Sequence, residues 1–168
     1  GMGNIVMDMI ENPEFVHKLM KFMNESRKRW TTERFKFLGY PVEKGNLYND
    51  EVNCPLLSPS LYKEFILPYE QEMSYFHHGI AYWHSCGITT PLLNLIKQID
   101  GLDMFHVGPW TDFAEANKVF GETTALEYCQ NPISDIYSAS EEDIRKKLIY
   151  ILNSGKGNAY TIRADGLQ

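Results

Sequence analysis

Hydrophobic positions change period from one segment of this chain to the next, and the changes mark out alternating helices and strands. Phe15, Leu19, Phe22 and Met23 recur at helical spacing in a long segment that ends near Leu38. Asn12 caps it, Pro13 opens it and Glu14 suits its positive end, while Gly39 and Pro41 stop it. That spacing makes the four apolar residues a core face or a partner surface. Residues 46–50 read as a weak strand ending in Asp50 and Glu51. Ser58 and Pro59 open the next helix, with Leu61, Phe65, Ile66 and Tyr69 as its apolar face and a kink predicted at Pro68. The run Ile80-Ala81-Tyr82-Trp83 is the central strand, and it stops abruptly at His84-Ser85-Cys86-Gly87. Thr89, Thr90 and Pro91 then start a helix over 92–99 with a hydroxyl cap. A strand over 102–107 leads to Gly108-Pro109-Trp110, and Thr111 is the predicted cap of a helix carrying Phe113, Ala114 and Phe120. A strand over 124–128 runs into Cys129-Gln130-Asn131-Pro132. Ser140 caps the helix of Ile144, Leu148 and Ile151, and a strand over 159–163 runs into Ala164-Asp165-Gly166-Leu167.

This order is βα architecture, with parallel strands expected to be buried on both faces. A closed (β/α) barrel has 8 strands and typically ~250 residues, whereas this pattern supplies about 4–5 strands in 168 residues. The expected fold class is therefore α/β, a partial (half) TIM-type barrel forming a single domain over 2–168, with Gly1 read as an expression scar. A half barrel has two open sheet edges and, on this reading, an apolar inner face. It is expected to form a homodimer or to pair with a chain that supplies the missing half. A doubly wound nucleotide-binding domain also fits the alternation, but no Gly-rich phosphate loop follows the first strand.

Composition narrows the partners. Hydrophobic residues make up 43% and charged residues 23%, as in ordinary globular domains. The net charge of −6 argues against a nucleic-acid binder, and the basic cluster Arg27-Lys28-Arg29 is flanked by Glu25 and Glu33. No apolar run reaches the ~20 residues that span a membrane, and no secretory leader is visible. The 3 cysteines are too few and too widely spaced for a disulfide framework. A cytoplasmic address with neither nucleic acid nor membrane as partner is the expectation.

In βα folds the active site gathers at the carboxyl ends of the strands, and the reactive residues of this chain fall there. They are Asp50 and Glu51, His84 and Cys86, His106, Glu127 and Cys129, and Asp165. If strand geometry persists through Cys86, an imidazole and a thiolate two residues apart point to one side, which suits a borderline-soft metal such as zinc. The bland alternatives are a buried turn for His84 and Cys86, a core cysteine at 129, and a carboxylate that ends a strand in solvent at 165. Asp50 and Glu51 are an acid/base pair or simply solvated acids. His106 is a catalytic candidate or a satisfied core histidine beside an apolar run. Tyr82 and Trp83 are expected to pack the sheet.

Leu57-Ser58-Pro59, Tyr62, Phe65, Pro68-Tyr69, His84-Ser85-Cys86-Gly87, Phe113-Ala114-Glu115-Ala116 and Asn131-Pro132 together resemble the uroporphyrinogen decarboxylase superfamily. More narrowly they resemble its zinc-dependent, corrinoid-linked methyltransferases, over the carboxyl-terminal half of the barrel. The resemblance implies that zinc bound by a His-x-Cys pair and a later cysteine activates a small thiol, which takes a methyl group from a corrinoid on a partner protein. His84 and Cys86 match the pair. The later cysteine is replaced by Asp165-Gly166-Leu167, so Asp165, or Cys129 from an adjacent strand end, is expected to complete the set. The decarboxylase branch holds its tetrapyrrole with residues of the amino-terminal half, which makes decarboxylation the weaker expectation. A non-catalytic half barrel that binds a ligand or a subunit is the rival.

Overall fold

The computed structural model describes residues 1–164. Five parallel strands lie in the order in which they occur in the chain: β1 (Gly45–Tyr48), β2 (Ile80–His84), β3 (Met104–Val107), β4 (Ala125–Gln130) and β5 (Tyr160–Ala164). Helices α1 (Met2–Glu11) and α2 (Pro13–Leu38) precede them. The crossovers carry α3 (Pro59–Phe65), α4 (Leu67–His77), α5 (Leu93–Ile96), α6 (Phe113–Phe120) and α7 (Glu141–Ser154). Sequential order, parallel pairing and a helix in every crossover make this a partial (β/α) barrel.

Several elements begin where the sequence places their signals. Pro13 opens α2, and Gly39 closes it in the left-handed conformation at φ 75°. The Pro68 break becomes a boundary, with α3 ending at Phe65 and α4 starting at Leu67. Ser140 and Asp143 form a reciprocal capping box at the start of α7. Three caps differ from expectation. Asn12 makes no side-chain capping bond to α2, and its amide donates to Asp8 at 3.1 Å instead. Thr89 and Thr111 turn their hydroxyls toward each other at 2.9 Å in the interior, so Asp112 caps α6 instead, accepting from the Glu115 N–H at 2.9 Å. The helix expected over 92–99 shrinks to a 3-10 turn at Thr90–Leu92 followed by α5.

Strand alternation sorts the sheet into two unlike faces. Leu47, Trp83, Phe105, Val107, Leu126 and Tyr128 point to the helices and are buried. The ring of Trp83 stacks on Phe105 at 5.2 Å, and Phe105 stacks on Phe120 of α6 at 4.6 Å. The other face carries Asn46, Tyr48, Tyr82, His84, His106, Glu127, Thr161 and Arg163. The expected burial on both faces, and the expected apolar inner face, are therefore corrected: the inner face is polar, and Tyr48 is 66% exposed. Polar and aromatic side chains tolerate water there, so the sheet needs an apolar layer on one side only.

Helix α2 takes the second of its two expected roles. Its buried residues are Val16 and Asn24, whereas Phe22 is 70% exposed and Phe15 and Met23 about half. The phenylalanine and methionine stripe is thus a surface. Polar contacts dock the opposite side of the helix: Asn24 Nδ2 donates to the Tyr69 carbonyl at 3.0 Å and to Glu72 at 2.8 Å.

Beneath β1 and β2 lies a buried carboxyl group, Glu70. It accepts from the Tyr62 hydroxyl, from Asn49 Nδ2 at 2.7 Å and from the Trp83 indole at 3.2 Å. Burial pushes it up to about 7, outweighing the opposing pull of those hydrogen bonds and of the Arg27 charge. The unfolded chain releases this proton near 4.5 and the folded chain near 7. The folded state therefore binds more protons between those values, and the contribution of Glu70 to stability is greatest below 4.5 and is lost as the pH rises through 7. The Glu70→Gln variant, which mimics the neutral acid, should gain about 3 kcal/mol relative to wild type between about pH 4.5 and about pH 8. Urea unfolding of both proteins across that range checks this, and a constant difference would refute it.

Candidate functional site

The strand ends bring three ligand-type side chains together. Trp83 pairs with Phe105 across the β2–β3 ladder, so the next residues, His84 and His106, lie side by side on the inner face. Their rings stack at 4.2 Å and within 9° of parallel. Beyond His84 the chain bends, and the Cys86 sulfur comes back to 3.3 Å from His84 Nε2. The potential ligand atoms of His84, Cys86 and His106 all lie within 4.8 Å of one another.

The bend is held from several sides. Ser85 is buried, and its hydroxyl donates to the Val52 carbonyl at 2.9 Å. Thr111 donates to the Gly87 carbonyl at 3.1 Å. Glycine is required twice by close approach. A Cβ on Gly87 would lie 2.1 Å from Asn53 Cβ, and one on Gly108 would lie 2.8 Å from the Ser85 carbonyl oxygen.

That same Ser85 oxygen fixes the state of His106. A carbonyl only accepts, so the 3.0 Å contact places a proton on His106 Nδ1. Its Nε2 then carries a lone pair, and it is buried with no hydrogen-bond partner among the described residues. Burial, reinforced by the neighbouring His84, holds His106 below the ordinary histidine value, against the pull of the Ser85 carbonyl. A neutral imidazole with an orphaned, inward-facing Nε2 is the form that ligates metals.

Around His84 the polar groups form a chain. Asp50 Oδ1 lies 3.1 Å from Nε2 and 3.4 Å from the Cys86 N–H. On the far side the Tyr82 oxygen lies 3.3 Å from Nδ1, and the Tyr82 hydroxyl donates to Glu127. Arg163 of β5 approaches Glu127 at 3.3 Å. Burial, followed by the Glu127 carboxylate, holds the Tyr82 phenol well above its ordinary value, so it stays protonated. A shallow recess lined by Asp50, Asn53, Cys54, Cys86, Gly87, Ile88 and Trp110, of about 390 Å³, opens beside the Cys86 thiol.

The expected site residues separate accordingly. His84, Cys86, Asp50 and His106 converge, and His106 sits in the position of a ligand. Glu51 is exposed in the turn after β1, where its backbone carbonyl accepts from Asn53. Cys129 is buried on β4, its sulfur 3.7 Å from the Gln130 carbonyl, and is not part of the cluster. The cause is lateral: β3 is one strand spacing from β2, about 4.8 Å, whereas β4 is two. Asp165 lies outside the described residues. Tyr82, expected to pack the sheet, faces the site, as its odd spacing from Trp83 already required.

Zinc bound at 2.0–2.3 Å holds neighbouring nitrogen and sulfur donors about 3.5 Å apart. The His84–Cys86 pair already has that spacing, and the donor set of two imidazoles and one thiol suits the ion. Five parallel strands in chain order with a helix in every crossover place this chain among the (β/α)-barrel proteins. It belongs to the uroporphyrinogen decarboxylase (URO-D) family, whose model matches residues 1–162. No curated protein matches the chain.

Packing at Gly108 tests how tightly the cluster is held. The Gly108→Ala substitution forces a methyl group against the backbone of Ser85 and Cys86 and should cost about 1–3 kcal/mol. Urea denaturation is the measurement, and a variant as stable as wild type would show that the bend is free to move.

Proposed function

We propose that this chain is a methyltransferase-like member of the family, in which zinc held by His84, Cys86 and His106 binds a small thiol. The thiol accepts a methyl group from a corrinoid carried on a partner protein. The observation that carries the reading is the buried, unpartnered His106 Nε2 facing a histidine and a cysteine. Zinc, when bound, lowers the pKa of a coordinated thiol so that thiolate is present at neutral pH. Three protein ligands leave the fourth position for the substrate, as in catalytic rather than structural zinc sites. His106 replaces the second cysteine that the resemblance implies, and two imidazoles with one thiolate leave the centre more electropositive than two thiolates would. That difference favours ionisation of the incoming thiol. Asp50 has an exposed carboxylate beside His84 and is placed to receive the thiol proton.

Elemental analysis of the purified protein is the test. Near-stoichiometric zinc is expected in wild type, with loss from the His84→Ala/Cys86→Ala double variant and weakened retention in His106→Ala. Thiol methylation assayed with methylcobalamin should follow the zinc content. A folded wild-type protein that takes up no zinc would overturn the reading.

One observation favours a second reading, a non-catalytic half barrel that works by binding a partner. On α2, Phe22 and Trp30 are each 70% exposed and Phe37 is 89% exposed, a stripe of large apolar side chains along one helix. The partner is a second copy or a chain that completes the barrel. Light scattering should then show an assembly larger than one chain, and a monomer persisting at high concentration would count against it.

A further inference from the structure

We propose that Tyr82 and Glu127 are positioning residues that hold the neutral His84 imidazole in its Nδ1–H form, leaving Nε2 as the atom that faces Cys86 and His106. The purpose of that tautomer rests on the metal-site reading above, but the tautomer itself is a property of the metal-free chain.

Two oxygen acceptors compete for the imidazole proton, and the Cys86 sulfur lies 3.3 Å from Nε2. Asp50 Oδ1, at 3.1 Å, draws it to Nε2, and there it would block the ligand atom. The Tyr82 oxygen, at 3.3 Å, draws it to Nδ1. A phenol could act as donor to Nδ1 instead, and would then favour the opposite tautomer. Glu127 removes that option. Its carboxylate, with Arg163 at 3.3 Å, accepts the one hydrogen that Tyr82 has. The Tyr82 oxygen is left as an acceptor toward His84. Exposure also favours Nδ1: the Asp50 side chain is 64% exposed and can turn to water, whereas the Glu127 side chain is 20% exposed. His84 and Tyr82 of β2, Glu127 of β4 and Arg163 of β5 thus form a line on the inner face. The second nitrogen of a metal-binding histidine is ordinarily fixed by such a partner, and the loss of one lowers metal affinity about 10–100-fold.

Long-range proton–nitrogen NMR on the 15N-labelled, metal-free protein at about pH 8.5, where an ordinary histidine is neutral, reads the tautomer directly. Comparison with His84→Gln assigns the signals. Wild type should show His84 protonated at Nδ1. Tyr82→Phe removes the acceptor, and Glu127→Ala frees the phenol to donate, so both variants should move the proton to Nε2. Zinc affinity should fall about 10–100-fold in each. A wild-type His84 protonated at Nε2, or a tautomer unchanged in both variants, would overturn the proposal. If wild type has the Nδ1–H form and still binds no zinc, the metal reading fails and the positioning role stands.

Discussion

The lateral pairing of Trp83 with Phe105 is the constraint on which the rest of this structure depends. Side chains alternate along a strand, so fixing one pair fixes the facing of every neighbour. Two buried aromatic rings, stacked on each other and through Phe105 on Phe120 of α6, make a one-residue slip prohibitive, because a slip of either strand would turn its ring out to the polar face and its histidine into the core. Hydrophobic burial on one face therefore sets the geometry of the polar cluster on the other. His84 and His106 need no attraction of their own to stack at 4.2 Å. They are carried there by the residues that precede them.

Much of this was legible in the sequence, and the reasons are local. The strand and helix order followed from proline, glycine and capping residues and from apolar periodicity. The strand-end location of His84, Cys86 and Asp50 followed from the order. His106 was seen, but its role depends on which residue of β3 lies beside which residue of β2, and register is a property of the pair rather than of either segment. One clue was available: Trp83-His84 and Phe105-His106 repeat the same aromatic–histidine step at the ends of adjacent strands. Cys129 was attractive by residue type alone, and the two-strand separation that removes it from the cluster cannot be read without the sheet. The polarity of the inner face was visible in Asn46, Tyr48, Tyr82, Glu127, Thr161 and Arg163. Taking each strand as a continuous apolar run, not as two interleaved faces, hides it. On α2 the apolar spacing fits a core face and a partner surface equally, and the exposure of Phe22 and Met23 makes it a surface.

Glu70 shows how the helix layer reaches the site without entering it. Its carboxyl group binds Asn49, which follows β1 and precedes Asp50, and Trp83, which precedes His84. Three donors converge on one buried acid, and their hydrogen bonds oppose the desolvation that still leaves it near neutrality. An apolar residue at this position would avoid the desolvation but leave the Asn49 amide and the Trp83 indole without an acceptor in the interior. The polar tether therefore holds the two strand ends whose following residues carry Asp50 and His84.

The two open surfaces of the chain place different demands on a partner. The inner face of the sheet is lined by hydroxyl, imidazole, carboxylate and guanidinium groups, so covering it would require polar partners for those exposed to solvent. The outer stripe of α2, with Phe22, Trp30 and Phe37, gains from being covered by any dry apolar surface. A partner held by apolar burial would therefore fit the helix side. That choice leaves the strand ends, and the recess beside Cys86, open to a small molecule. A partner that closed the barrel over the inner face would have to bring polar groups of its own, matched to Glu127, Arg163 and Tyr48, and would be recognised by charge and hydrogen bonding instead of by area.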